Sequence, residues 1–340
     1  MSEATVSSFD EIRALLRELP GPDLEAGSAA ATRQAQLTKP AGALGRLEEL
    51  AEWLAAWQGR HPPRVERPHT AVFAGNHGVA ARGVSAYPAE VTRQMVRNFI
   101  DGGAAVNQLC AVAQSDLRVY ELALEEPTRD FSEASAMDEA DCARAIAYGM
   151  MAVEEGIDVL ALGEMGIGNT TSAAAVCHAL FGGQARDWVG RGTGVDDAGL
   201  ARKTALIEAA VDRHRAAMSD PLEVLRRLGG FELAAILGAV MAARLARAPV
   251  LLDGYACTAA AAVLWAMDKR ALDHCQAAHV SAEPGHRRLL ERLGKTALFD
   301  LGMRLGEATG AVLAILLLKG ACACHNDMAT FAEAGVSGPA

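Results

Sequence analysis

Lysine is scarce in this chain of 340 residues: only five of its 32 basic residues are lysines, at positions 39, 203, 269, 295 and 319. The basic residues form no continuous cluster and the formal net charge is −10. Together these exclude a nucleic-acid surface and require any phosphate to be bound locally. The polar, acidic start from Met1 to Glu18 lacks the basic and apolar regions of a secretory signal, and the apolar run Ala311 to Leu318 is too short to span a bilayer. The expectation is a cytoplasmic protein with no membrane partner. The seven cysteines, at 110, 142, 177, 257, 275, 322 and 324, are odd in number and lie mostly in Ala-rich segments, which suits reduced core thiols. Neither Cys322-Cys324-His325 nor His274-Cys275-His279 has the paired spacing of a zinc site, so no metal is assigned. No repeat of fixed period is present.

With 51% apolar and 22% charged residues, the chain can bury a large core. Apolar runs at Ala71–Ala74, Leu117–Leu122, Ile157–Leu162, Val250–Leu252 and Ala277–Val280 read as buried strands, separated by helical patterns such as Glu90–Ala111, Ala140–Glu155 and Glu232–Ala246. This alternation predicts an α/β fold: a doubly wound, mainly parallel sheet with helices on both faces. Residues 68–304 form the expected nucleotide-binding domain. Segment 1–67, with Leu44–Trp57 helical, and segment 305–340 are expected to pack together as a smaller helical domain.

Three glycine-rich stretches carry the chemistry. In Leu305-Gly306-Glu307-Ala308-Thr309-Gly310 a carboxylate stands between glycines just before an apolar helix. Desolvation there would raise the pKa of Glu307 and suit a general base, while a plain helix-start carboxylate has the same pattern. Gly163-Glu164-Met165-Gly166-Ile167-Gly168-Asn169-Thr170-Thr171 reads as strand, glycine turn and helix start. Glycines there let the backbone approach a phosphate, and the first helical amides with the Thr170 and Thr171 hydroxyls could hold it. An ordinary tight turn fits equally. The stretch lacks the Gly-Lys-Ser/Thr of a Walker loop and the dinucleotide glycine spacing. The third stretch, Gly190-Arg191-Gly192-Thr193-Gly194, precedes Asp196, Asp197 and Lys203. Lys203 is either a point charge for phosphate or a solvated lysine in a helix capped by one of the aspartates.

These stretches, with Leu37-Thr38-Lys39-Pro40-Ala41-Gly42, Phe73-Ala74-Gly75-Asn76-His77-Gly78, Gly83-Val84-Ser85-Ala86-Tyr87-Pro88, Leu252-Asp253-Gly254, Ser281-Ala282-Glu283-Pro284-Gly285-His286 and Met328-Ala329-Thr330-Phe331, resemble the nicotinate-nucleotide:5,6-dimethylbenzimidazole phosphoribosyltransferase family. The resemblance implies an enzyme that moves a phosphoribosyl group from nicotinate mononucleotide to dimethylbenzimidazole, as a homodimer and without a cofactor. It implies that Glu307 is the catalytic base. Glu164 and Lys203 match residues at the nucleotide end, and Gly166, Gly168, Asn169, Thr170, Thr171 and Ser281 match positions near the phosphate. Leu305 matches the segment bordering the acceptor ring, and the stretch from Ser85 through Tyr87 to Gln94 the segment that closes over it. Asn76 stands where the family usually has aspartate and Ala43 where serine is common. His77 and His286 sit beside glycines and either border the site or are hydrogen-bonded structural histidines.

Two other classes compete. A transferase using pyrophosphorylated ribose normally places two acids before its phosphate loop and uses magnesium, whereas Asp196-Asp197 follow the glycines. A non-catalytic nucleotide-binding protein would keep the glycine loops and need no base at 307. A flat apolar slot would also admit purines or phenols as acceptors, since such pockets discriminate weakly between ring analogues.

Overall fold

The computed structural model describes residues 8–338. The first seven residues of the expected N-terminal segment, with that part of the signal reading, and the last two of the C-terminal segment lie outside it. In chain order the elements are α1 (Phe9–Arg17), α2 (Leu24–Gln34), α3 (Arg46–Gln58), β1 (Pro68–Gly75), α4 (Glu90–Ile100), α5 (Ala105–Ala113), β2 (Asp116–Leu122), α6 (Glu139–Met150), β3 (Val159–Met165), α7 (Asn169–Phe181), α8 (Asp197–His214), α9 (Pro221–Leu228), α10 (Phe231–Leu245), β4 (Val250–Leu252), α11 (Tyr255–Met267), β5 (Cys275–Ala277), α12 (Pro284–Leu293), α13 (Thr309–Asp327) and α14 (Phe331–Ala334).

The five strands pair in the order β2-β1-β3-β4-β5, all parallel. Strand side chains alternate between the two faces of this sheet. Ala71, Phe73, Leu160, Leu162, Val250 and Leu252 enter one core with α6, α7, α10 and α11. Their neighbours Val72, Val159, Ala161 and Leu251 enter the other, with α3, α5 and α13. Both faces are thus covered, as buried parallel strands require. Close packing of α6 on α10 depends on Gly149 and Gly238, where a Cβ would run into the backbone of Ala235 and Ile146 across the helix pair.

Three expectations need adjustment. The helical pattern Glu90–Ala111 is two helices, broken at Asp101-Gly102-Gly103, where Gly102 takes a positive φ of 78°. The last strand lies at Cys275–Ala277, earlier than the run Ala277–Val280, because the chain leaves the sheet after Ala278 donates to Leu252 O. The apolar run Ala311–Leu318 is part of α13, whose 19 residues are by length and composition enough to cross a bilayer. Over half of α13 is buried, and it packs on α3, α5 and β3 as a core helix.

Candidate active site

The carboxyl ends of β3, β4 and β5 open into a cleft of about 340 Å³, where ligands bind in folds of this strand order. Helices α7, α11 and α12 start at its wall, preceded by Gly168, Gly254 and Glu283, and none has a side-chain cap. Uncapped amides and helix dipoles make this an environment for an anion. α13 starts close by but differs. Asp253, 1% exposed, accepts from the amides of Gly310 and Ala311 through Oδ1, at 2.7 and 3.0 Å. A carboxylate from beyond β4 therefore caps the helix that follows Glu307.

The turn carrying Glu307 has an unusual backbone. Gly306, Glu307 and Ala308 have φ of 83°, 61° and 63°, all in the left-handed region. The two non-glycine residues there cost about 1–3 kcal/mol each, a strain that surrounding structure must hold. The hold comes from β3. The Glu307 amide donates to Glu164 O at 3.2 Å, and a Cβ on Gly163 would lie only 2.5 Å from Cα and Cβ of Ala308. Glu307 is 4% exposed, and its Oε2 has no hydrogen-bond partner. Burial, with the nearby charge of Asp253 adding to it, pushes its pKa up to about 7. Glu164, on the cleft wall, is raised well above the ordinary carboxylate range by burial and then by Glu232, Asp253 and Glu307. Asn169 opposes this by donating to Glu164 Oε2.

The residues expected at the phosphate end divide between the cleft lining and the buried layer behind it. Gly166, Asn169, Thr170 and Ser281 line the cleft. Gly168 turns the chain with φ 98°, and Thr171 is fully buried behind the wall. Lys203 is fully buried, not solvated; Asp196 is the cap of its helix, accepting from Gly199 N. Its Nζ donates to Thr170 Oγ1 at 2.8 Å and Gly190 O at 3.2 Å. Burial lowers its pKa to about 8, against the opposing charge of Glu283.

The acceptor candidates are divided. Tyr87 and Leu305, 55% and 57% exposed, line the cleft. Ser85 reaches its rim by a 2.8 Å hydroxyl contact with Thr193. Gln94 lies apart, exposed on α4 in a separate hollow with Asn76, Pro88 and Leu124. Asn76 donates to Leu124 O, and Ala43 sits in an exposed turn after α2.

The two histidines are fully partnered and buried. His77 bonds Glu232 at 2.7 Å and Ser172 at 3.0 Å, beside Gly166 and Gly168 of the turn before α7. His286 bonds Thr258 and the Ser281 amide, and burial lowers its pKa to about 3. Among the described residues no group of three metal-binding side chains assembles: His325 instead pairs with Gln34 and His61, and His274 with Val240 O.

Sequence reasoning gave no role to Asp253, His279, Glu283 or Arg304. Asp253 closes an apolar strand and precedes a glycine, a usable signal in a doubly wound fold. His279 lines the cleft, 1% exposed, with neither ring nitrogen in a regular hydrogen bond and its Nε2 3.5 Å from Asp253 Oδ1. Glu283 accepts from Gly192 N at 2.9 Å.

Residues 19–336 match a family model described as Phosphoribosyltransferase. The nicotinate-nucleotide–dimethylbenzimidazole phosphoribosyltransferase of Rhizobium etli (strain CIAT 652) is 60% identical over 330 residues, covering 97% of each chain. The protein of the same name from Brucella anthropi is 57% identical over 330 residues, again covering 97% of each chain. Among solved structures, CobT from Thermus thermophilus superposes with a TM-score of 0.87 at 45% identity, covering 93% of this chain and 100% of the other.

Proposed function

The chain belongs to the nicotinate-nucleotide–dimethylbenzimidazole phosphoribosyltransferase family, and from that premise we propose how its own residues perform the reaction. The enzyme transfers the 5-phosphoribosyl group of nicotinate mononucleotide to 5,6-dimethylbenzimidazole, giving α-ribazole 5′-phosphate and nicotinate. One nitrogen of the neutral acceptor attacks the anomeric carbon as the bond to the pyridinium nitrogen breaks and its electron pair returns to nicotinate. The other ring nitrogen loses its proton to Glu307. The observation that carries this reading is the buried Glu307 carboxyl, with a free Oε2 and a pKa pushed up to about 7, matched to proton transfer near neutral pH. Lys203, Thr170 and the Gly166–Thr171 turn anchor the phosphate, which holds the anomeric carbon within reach of the acceptor. Glu164, Asn169 and Ser281 complete the nucleotide end, and Ser85, Tyr87, Gln94 and Leu305 receive the acceptor. For Gln94 this requires α4 and the preceding loop to draw toward the cleft.

We also propose the division at residues 67/68 and 304/305, supported by the packing of both α2 and α13 on α3; α1 instead joins α6 in the larger core. The homodimer that the resemblance implies is part of the same proposal. A cytoplasmic setting suits seven free cysteines, six of them buried.

Purified protein incubated with nicotinate mononucleotide and a panel of benzimidazole, purine and phenol acceptors, without divalent metal, tests the reading. Mass spectrometry identifies the ribotides, and proton NMR the anomer. An α-linked benzimidazole ribotide is expected. A β-linked product would require a ribosyl intermediate on a carboxylate such as Glu164 and would remove the one-step displacement. Products from purines or phenols alone would reassign the acceptor.

A further inference from the structure

The donor of this reaction carries an anion at each end, the 5′-phosphate and the carboxylate of the nicotinate ring, yet the cleft lining has two glutamates, Glu164 and Glu283, against one arginine. A ring carboxylate placed here without a cation would meet the carboxyl groups of Glu164 and Glu283 on the wall. Among the described residues, Arg304 is the one arginine or lysine on the cleft lining. Lys203, assigned above to the phosphate, is fully buried behind Thr170, where two of its three N–H donors go to Thr170 Oγ1 and Gly190 O.

The two cations flank one loop. A Cβ on Gly192 would lie 3.3 Å from Lys203 Nζ, while Gly192 O accepts from Arg304 Nη1 at 2.9 Å. Glu283 fixes the same loop by accepting from Gly192 N at 2.9 Å. Arg304 is thus steered to the cleft by a single backbone bond. Its side chain is exposed, and a guanidinium has five N–H donors, enough to keep the Gly192 bond and still grip a carboxylate with two. It is also permanently charged, unlike Lys203, whose pKa is lowered by burial.

We propose that Arg304 reads the carboxylate of the nicotinate ring and so makes the enzyme select the acid over the amide form of the donor base. This rests on the transferase reading above. Replacing a carboxylate by a carboxamide removes the charge-assisted pair and sets an amide donor against the guanidinium, so the discrimination is chemical rather than steric.

The test compares unmodified enzyme with Arg304→Gln and Arg304→Lys, using nicotinate mononucleotide, nicotinamide mononucleotide and nicotinate riboside as donors. In the unmodified enzyme kcat/KM favours the acid over the amide mononucleotide. Arg304→Gln is expected to reduce that ratio by about tenfold to a hundredfold, the scale of one charge-assisted pair. Arg304→Lys restores part of it, and the preference for mononucleotide over riboside is retained in both. If the acid-to-amide ratio holds while the mononucleotide-to-riboside ratio falls, Arg304 serves the phosphate and the proposal is overturned. Calorimetric titration with free nicotinate and nicotinamide separates this failure from failure of the transferase reading, because it needs no turnover. Tighter binding of nicotinate, lost in Arg304→Gln, supports the assignment; equal binding of both bases to the unmodified protein overturns it.

Discussion

Gly163 on β3 and Ala308 in the turn before α13 press together so closely that a Cβ on the glycine would lie 2.5 Å from Cα and Cβ of the alanine. This contact sits one residue from each of Glu164 and Glu307, and it holds the left-handed turn against the strand. Gly163→Ala should therefore push the turn away and move Glu307 without unfolding the sheet. The expected result is a loss of turnover of about tenfold or more, the scale of a misplacement near one ångström. The double variant with Ala308→Gly removes the opposing methyl and relaxes its positive φ but leaves the backbone nitrogen of residue 308, which is closer still to the same Cβ, so it should recover little. Steady-state kinetics and a thermal melt check this. Full activity in Gly163→Ala would show that the turn tolerates displacement.

Glu307→Gln keeps the size and burial of the side chain and removes its basicity. Turnover should fall by roughly a hundredfold or more, the usual scale for a general base, while nicotinate mononucleotide still binds. Single-turnover kinetics with calorimetry measure the two separately. Near-normal chemistry in this variant would dismiss Glu307 as base.

The acid limb of kcat/KM should follow the ionisation of Glu307, rising with pH and centred near 7, as its raised pKa requires. Burial is the larger cause of that shift and the Asp253 charge the smaller. Asp253→Asn retains an acceptor for the amides of Gly310 and Ala311 but removes the charge. The limb should move to lower pH and stay above the ordinary carboxylate range. The same shift has a stability sign. Between the unfolded carboxyl pKa of about 4.3 and about 7 the folded protein holds the extra proton, so stability falls as pH rises through that window. Glu307→Gln should reduce this fall in pH-dependent melts, leaving the part due to the raised carboxyl of Glu164, and an unchanged profile would contradict the raised pKa of Glu307.

Lys203 places function against stability. A buried amine with its pKa lowered to about 8 is costly to keep charged at neutral pH, so Lys203→Met should leave the melting temperature unchanged or raise it. It should also narrow the preference for nicotinate mononucleotide over nicotinate riboside. A large fall in melting temperature with that preference intact would make Lys203 a structural residue.

The sheet was legible because buried parallel strands are short apolar runs, and β1 to β4 lie within a few residues of theirs. β5 was displaced because Ala278 and Val280 stay apolar after the chain has left the sheet. α4 and α5 merged into one pattern because Gly102 and Gly103 interrupt an otherwise helical period. In the site, the glycines around Glu307 and the loop before α7 are local signals. The capping of α13 by Asp253 and the burial of Lys203 are not. Each joins residues far apart in sequence, 57 positions for Asp253 to Gly310 and 33 for Lys203 to Thr170. Nor does any local pattern require a left-handed Glu307, since that backbone is imposed by contact with β3.

The burial of the cysteines has a practical consequence. Desolvation pushes the thiol of Cys110 up to about 11 and those of Cys177, Cys275 and Cys322 to about 12, with Cys142 and Cys257 raised further. At neutral pH these sulfurs are poor nucleophiles. Cys324 alone is partly exposed, near the end of α13 remote from Glu307. A maleimide fluorophore would settle there without any engineering, giving a spectroscopic reporter of whether the helix shifts when the donor enters the cleft.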